Sequence, residues 1–255
     1  MTVSVVVPAL DEADLLPRTL RAARVAFGPS AELVVVDGGS EDGTPAAAEG
    51  LARVIRSAPG RGRQMNAGAR ASRGEVLVFV HADTIVEARA GADLRRALRD
   101  PETAGGCLRF ALPPRPAGGG LRRAADALLE TAVRARTRLF RTATGDQVIF
   151  ARRSAFEAVG GFPDYPLFED VELVRKIRRE GGFRVLSARA TTSGRRWEER
   201  GWLRTVLLHL ALRGAFHLGV PARRLAAWYG PPVSARRDAS ADRGRSARRT
   251  SGHPS

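Results

Sequence analysis

The sequence predicts an α/β fold, a mostly parallel sheet with flanking helices that runs on into a C-terminal amphipathic helical extension. Three observations predict it. The stretch VLVFVHAD, from Val76 to Asp83, is apolar on both faces before it turns polar, which is the pattern of a central parallel strand covered by helices; a half-exposed strand would alternate. Shorter apolar runs at Val3 to Val7 and Glu32 to Val36 alternate with segments of helical spacing, and such alternation calls for a parallel sheet with right-handed crossovers. Each run also ends in polar or acidic residues. In open α/β sheets ligands bind beyond the carboxyl ends of the strands, so His81, Ala82 and Asp83 are expected on the floor of a cleft.

Taken in order, the first strand closes at Pro8, and PALDEADLLPRTLRAARVAF then places Leu16, Leu20, Ala23 and Phe27 on one helical face. Asp11 or Asp14 is positioned to cap that helix. The second strand runs into DGGSEDGT with Asp37 at its end, and Thr44 to Arg53 reads as an Ala-rich helix. Val54 and Ile55 suggest a short strand. Arg61 and Arg63 then lie in a Gly-punctuated loop entering a helix, where free backbone N–H groups favour an anion.

After Asp83 a helix is expected from Ala90 to Arg99, a strand from Ala104 to Leu112, and a linker at PPRPAGGG. A basic helix from Leu121 to Arg141 would turn Leu121, Ala125, Leu128, Ala132 and Ala135 to one side. Asp146 to Ala151 reads as a strand, Ser154 to Val159 as a helical turn, and GGFPDYPLFED as a loop leading into a helix with acids at its start and Arg175, Lys176, Arg178 and Arg179 toward its end, as the helix dipole favours. Trp202 to Val220 is apolar but interrupted by Arg204, His209, Arg213 and His217, which suits a packed or surface helix better than a membrane span. One domain over 1–230 is expected, divided at the linker into halves over 1–112 and 121–230, with 231–255 as a disordered basic tail with little to bury.

Composition narrows the class further. The single cysteine, Cys107, excludes an internal disulfide framework, and the start of the chain lacks the layout of a signal peptide, so a cytoplasmic protein is expected. The net charge is +15, and only one of the 42 basic residues is a lysine. Most of that excess lies beyond residue 120, which favours an anionic partner such as a phosphorylated substrate or, peripherally at the inner face, an anionic membrane. Specific nucleic-acid binding is not expected, because the acids gathered at strand ends would repel a phosphate backbone.

Those acids carry the chemistry. Asp11 and Glu12, Asp37, His81 with Asp83, and Glu169 with Asp170 all fall at strand ends or in loops. Together they offer acceptors for a nucleoside, a carboxylate for a divalent cation, and a further carboxylate free to act as a base. The motifs PALDE, VVVDGGSEDGT, the Asn66 segment with ASRGE, HAD, and GGF followed by the ED pair resemble, in that order from Ser4 to Gly182, the family 2 glycosyltransferases of GT-A fold. GDQVIFARR, PLFEDVEL, RRW and LAAWYG are most similar to the small arsenosugar-biosynthesis subfamily.

The resemblance implies a metal-dependent, inverting, hexosyl-type transfer from a nucleotide-diphosphate sugar to an acceptor hydroxyl. Asp37 would accept a hydrogen bond from the nucleobase, with Pro8, Asp11 or Glu12, and Arg61 or Arg63 holding base and diphosphate. Asp83 matches the second carboxylate of the family's DxD and would bind Mn²⁺ or Mg²⁺. His81 stands where the first Asp usually is and, beside Ala82, would donate to a hydroxyl or assist the metal. Asp170 matches the base, with Glu169 next to it, while Asp146 and Gln147 would touch donor sugar or acceptor. Arg195, Arg196 and Trp197 resemble the family's basic-aromatic motif near the acceptor. A nucleotidylyltransferase would share strands and metal but needs a Gly-rich basic loop where PALDE stands. A non-enzymatic basic module would leave the ordered acids unexplained.

Overall fold

The computed structural model describes residues 1–114, 120–193 and 202–229. The chain divides into two compact units, Met1–Gly194 and Arg195–Ser255. The first contains one eight-stranded sheet, assembled from β1 (Val3–Ala9), β2 (Glu32–Asp37), β3 (Arg53–Arg56), β4 (Val76–Phe79), β5 (Thr84–Val86), β6 (Thr103–Ala111), β7 (Ile149–Arg152) and β8 (Gly182–Thr192), in the spatial order β3-β2-β1-β4-β7-β6-β8-β5. β3, β2, β1 and β4 run parallel; β7 is antiparallel to both β4 and β6, β8 lies parallel to β6, and β5 closes the sheet antiparallel to β8.

Successive strand side chains point to opposite faces, and here both faces are covered. Val5, Val7, Val35 and Val78 pack under α1 (Leu16–Phe27) and α4 (Ala90–Ala97) in one core cluster. Val6, Val34, Val36, Leu77 and Phe79 pack in the other, with Met65 and Ala69 of α3 (Arg61–Ala71) and Leu173 and Ile177 of α7 (Glu169–Glu180). This two-sided burial is why the strands read as continuous apolar runs. The approach of α3 is close. A Cβ on Gly68 would collide with Val6 and Val36, so a residue without one lets the helix sit down on the sheet.

Several expectations are met. β4 sits centrally between β1 and β7, and the apolar face of α1 is buried at Leu16, Leu20, Ala23 and Phe27. Cys107 is also buried, and loss of water pushes its thiol up to about 12. Others are corrected. Neither Asp11 nor Asp14 caps α1: its N-cap is Leu15, and the carbonyl of Glu12 takes the amides of Leu15 and Leu16. The Ala-rich helix is only one turn, α2 (Thr44–Ala47), because Gly50 at φ 69° turns the chain. Arg61 and Arg63 lie inside the first turn of α3 rather than before it. The expected strand at Asp146 begins as a 3-10 turn, Gly145–Gln147, and becomes β7 only at Ile149.

The helix α5 (Gly120–Phe140) forms as expected but turns the other way. Leu128 is 65% exposed, and Asp126, Leu129 and Thr137 are buried instead. The helical turn at 154 begins one residue earlier, as α6 (Arg153–Ala158). Two strands, β5 and β8, are found beyond those expected. In the second unit lie α8 (Trp202–His217) and α9 (Ala222–Tyr229), where Leu212 and Leu225 are buried and Leu207, Leu210, Leu218 and Trp228 are exposed. No helix among the described residues is long and apolar enough to cross a membrane. The motif Arg195–Arg196–Trp197, most of the Pro/Gly linker and the basic tail lie outside the described residues.

Candidate active site

Three parallel strands deliver their carboxyl ends to one edge, and hydrogen bonds zip their loops together. The amide of Asp11 donates to Ser40 Oγ at 3.0 Å, that of Glu41 to Asp11 Oδ1 at 2.9 Å, and that of Glu12 to Thr44 Oγ1 at 2.8 Å. Asp11 itself sits at φ 54°, a left-handed conformation that an Asp tolerates better than most residues. The strands are tied from below by Gln64, whose Nε2 donates to the carbonyls of Ala9 and Val36 at 2.9 and 2.8 Å. Pro8 pairs in register with Val36 inside this ladder and offers the site backbone only.

At the tip of β2, Asp37 is fully buried. Its Oδ1 accepts the Ser40 amide at 3.0 Å, while its Oδ2 has no hydrogen-bond partner and lies 3.7 Å from the Nε of the exposed Arg56. A buried carboxylate oxygen without a donor is costly. It is an acceptor waiting for a donor.

Beyond β4 the chain makes a turn in which the Thr84 amide donates to the His81 carbonyl, and Thr19 of α1 pins the carbonyl of Ala82 at 2.8 Å. Ala82 is therefore a backbone anchor. Asp83 is half-buried, and Ser193, just past β8, donates to its Oδ2 at 2.5 Å. The imidazole of His81 is buried; its Nδ1 lies 3.2 Å from Asp146 Oδ1, and its Nε2 edge packs on Gly145, where a Cβ would collide with the ring.

The 3-10 turn joins this strand end to the start of α7. The amide of Gly145 donates to Asp170 Oδ2 at 2.6 Å, and the Val171 amide to Asp170 Oδ1 at 2.6 Å. Beside it Glu169 is buried, and burial first, then repulsion from Asp170, pushes its carboxyl up to about 7 against the pull of Arg61 and His81. One carboxylate is held by amides and the other by an apolar setting. α7 starts abruptly because Phe168 adopts φ 65° at its N-cap, and Asn66 fixes the loop before it by exchanging two hydrogen bonds with the backbone of Phe162, at 2.8 and 2.9 Å.

Hydrogen bonds and charge thus link His81, Asp146, Asp170, Glu169 and Arg61, while the β1 and β2 loops carry Asp11, Glu12 and Asp37 at the same edge of the sheet. Two expected residues are engaged elsewhere. Arg63 forms a two-pronged pair with Asp164 at 2.7 Å, on the exposed side of α3. Gln147 is 1% exposed, and its amide bonds Thr137, Cys107 and Arg136. Gln64 and Ser193 were missed. Gln64 is a buried polar side chain on α3, which needs partners; Ser193 follows β8, a strand the apolar pattern does not mark.

Residues 4–116 match the family described as glycosyl transferase family 2. Over that stretch the chain is similar to a glycosyl transferase family 2 domain. The match covers the strands and loops that hold Asp11, Asp37, Arg61, His81 and Asp83. The glucosyl-3-phosphoglycerate synthase of Mycolicibacterium paratuberculosis is 38% identical to this chain over 95 residues, 33% of this chain, and the match spans only 29% of that relative's length.

Among solved structures, the chain is similar to the mannosyltransferase PcManGT from Pyrobaculum calidifontis, in complex with GDP-Man and Mn²⁺, at 25% identity and a TM-score of 0.56 over 85% of this chain and 61% of that one. S. aureus TarS 1–349 in complex with UDP shares the fold at 18% identity and a TM-score of 0.57, over 76% and 61% of the two chains. So does glucosyl-3-phosphoglycerate synthase from Mycobacterium tuberculosis, in complex with Mn²⁺, UDP and glucosyl-3-phosphoglycerate, at 21% identity and a TM-score of 0.56 over 86% and 81%.

Proposed function

We propose that this protein is a metal-dependent inverting glycosyltransferase that moves a sugar from a nucleotide-diphosphate sugar to an acceptor hydroxyl. One observation carries the reading: a single 3-10 turn binds the end of the nucleotide-side strand through His81–Asp146 and the start of α7 through Gly145–Asp170. A donor held by the strand ends and a base on α7 then meet at one place. The family match, and the GDP-Man, UDP and Mn²⁺ named for the solved neighbours, support the donor class.

In this reading the orphan Oδ2 of Asp37 accepts a nucleobase N–H, the β1 loop at Asp11 and Glu12 lies along the nucleoside, and Arg61, at the start of α3, faces the diphosphate. Among the described residues no three acidic, His or Cys side chains are placed to hold a metal alone. A hard divalent cation commonly takes one or two carboxylates and completes its shell with water and phosphate oxygens, so Asp83 fits Mn²⁺ or Mg²⁺ in company with a diphosphate. Bound there, the cation would neutralise charge on the departing diphosphate. Asp170 takes the acceptor's proton as its oxygen bonds to the anomeric carbon and the bond to diphosphate breaks. A single displacement of this kind inverts that carbon.

Asp170→Asn separates role from binding, because the amide keeps the size and loses the proton-accepting oxygen. Calorimetry should find UDP with Mn²⁺ bound within threefold of wild type, and transfer or donor hydrolysis should fall by about 10²- to 10⁴-fold. Near-normal turnover would remove Asp170 from the base role. Asp83→Ala should abolish the Mn²⁺ dependence of nucleotide binding, and an unchanged dependence would place the metal elsewhere.

We also propose peripheral contact with an anionic membrane, at the cytoplasmic face, from the Arg-rich second half and from exposed Leu207, Leu210, Leu218 and Trp228. Flotation with anionic vesicles but not with neutral ones is expected at low salt; equal flotation with both rejects it.

A further inference from the structure

Three arginines from three elements, Arg109, Arg134 and Arg189, lie within reach of one another's charge. Arg134 and Arg136 come from α5, Arg109 from β6, and Arg189 from the position of β8 that is in register with Arg109. Burial, then repulsion by Arg189 and Arg134, lowers the pKa of Arg109, and the pull of Glu130 and Glu87 does not restore it. Glu130 is itself engaged, accepting the Leu112 amide at 2.8 Å. The Nε–H of Arg134 is buried and makes no hydrogen bond, a desolvated donor without an acceptor. Arg136 ties this patch to the site: its Nη2 donates at 3.0 Å to Gln147, in the turn whose Gly145 and Asp146 hold Asp170 and His81.

We propose that Arg109, Arg134 and Arg136 seat an anionic group of the acceptor, a phosphate or a carboxylate, so that the acceptor class is a hydroxyl compound bearing such a group. The proposal rests on the sugar-transfer reading above. None of the three arginines lies on β1, β2 or β4, whose ends would hold the nucleotide, and Arg136 is bonded to the turn whose Gly145 amide holds Asp170. Half-buried guanidinium groups that repel one another are relieved by an oxyanion, and their planar forks match phosphate and carboxylate alike.

The test is calorimetry on the full chain with inorganic phosphate, with acetate, and separately with UDP and Mn²⁺, in wild type, Arg134→Gln and Arg109→Gln. Phosphate or acetate should bind wild type and lose about tenfold or more in affinity in both variants, while UDP with Mn²⁺ stays within threefold, which also certifies the fold. The tighter of the two anions names the group. If UDP binds but neither anion binds wild type, or both variants bind them as wild type does, the anion seat is overturned and the transfer reading stands. If the variants lose the anion but wild type binds no UDP, the transfer reading fails and the arginines remain an anion site of another kind.

Discussion

At the scale of single residues, the two adjacent carboxylates of α7 are set apart by what surrounds them. Asp170 accepts two backbone amides, whereas Glu169 is buried, and burial with the charge of Asp170 pushes it from an ordinary 4.5 up to about 7. The folded protein therefore holds the Glu169 proton more tightly than the unfolded chain does. Stability from this group is complete below pH 4.5 and is lost as pH rises through 7. At about 1.4 kcal/mol per pH unit, wild type should lose on the order of 2 to 3 kcal/mol more between pH 5 and pH 8 than Glu169→Gln, which has no proton to release. Urea denaturation of both proteins at the two pH values measures the difference; parallel losses would mean that Glu169 titrates as an ordinary exposed acid.

At the scale of elements, α3 is the lever, because it carries Arg61 and Gln64 at its start and must be held in register on the sheet. Its far end is held by Arg153 of α6, which donates to the carbonyls of Gly74, Ala69 and Ser72 at 2.7 to 2.9 Å and to Ser72 Oγ at 3.0 Å. The guanidinium satisfies carbonyls that the end of a helix leaves open. Arg153→Met keeps the stem and deletes these bonds. A loss of about 2 to 4 kcal/mol is expected by urea denaturation, since bonds from a charged donor are worth more than neutral ones but do not add fully. A change under about 0.5 kcal/mol would mean that water replaces the guanidinium there.

For the whole molecule, both core clusters draw every buried residue from between Val3 and Ala190, inside the first compact unit. The burial that offsets chain entropy is thus available without the last sixty or so residues. A chain ended at Gly194 should unfold in one cooperative urea transition, with stability within about 2 kcal/mol of the full protein. A broad transition, or aggregation on refolding, would show that the C-terminal unit completes the core and that 1–230 is one body.

The sequence by itself determined the strand-helix alternation, the central place of VLVFVHAD, and the position of Asp37 at the tip of β2, since two-sided apolar burial and a strand-end acid both leave a pattern in adjacent positions. It was less legible where partners are far apart in the chain. The alternation of Leu186, Ala188, Ala190 and Thr192 in β8 is a period of two written mostly in small and polar residues, and the antiparallel pairing of β7 with β4 leaves no local mark. Nor does a helix announce its inner face when its alanines and leucines are spread around it. In α5 the buried side was decided by Gln147, which Thr137 and Arg136 reach by hydrogen bonds, against the stripe of Leu128. Only the tertiary structure paired Arg63 with Asp164, tied Gln147 to Thr137 and Cys107, joined His81 to Asp146, and put Asp170 under the amide of Gly145, because each depends on a contact between segments that the chain brings together only on folding.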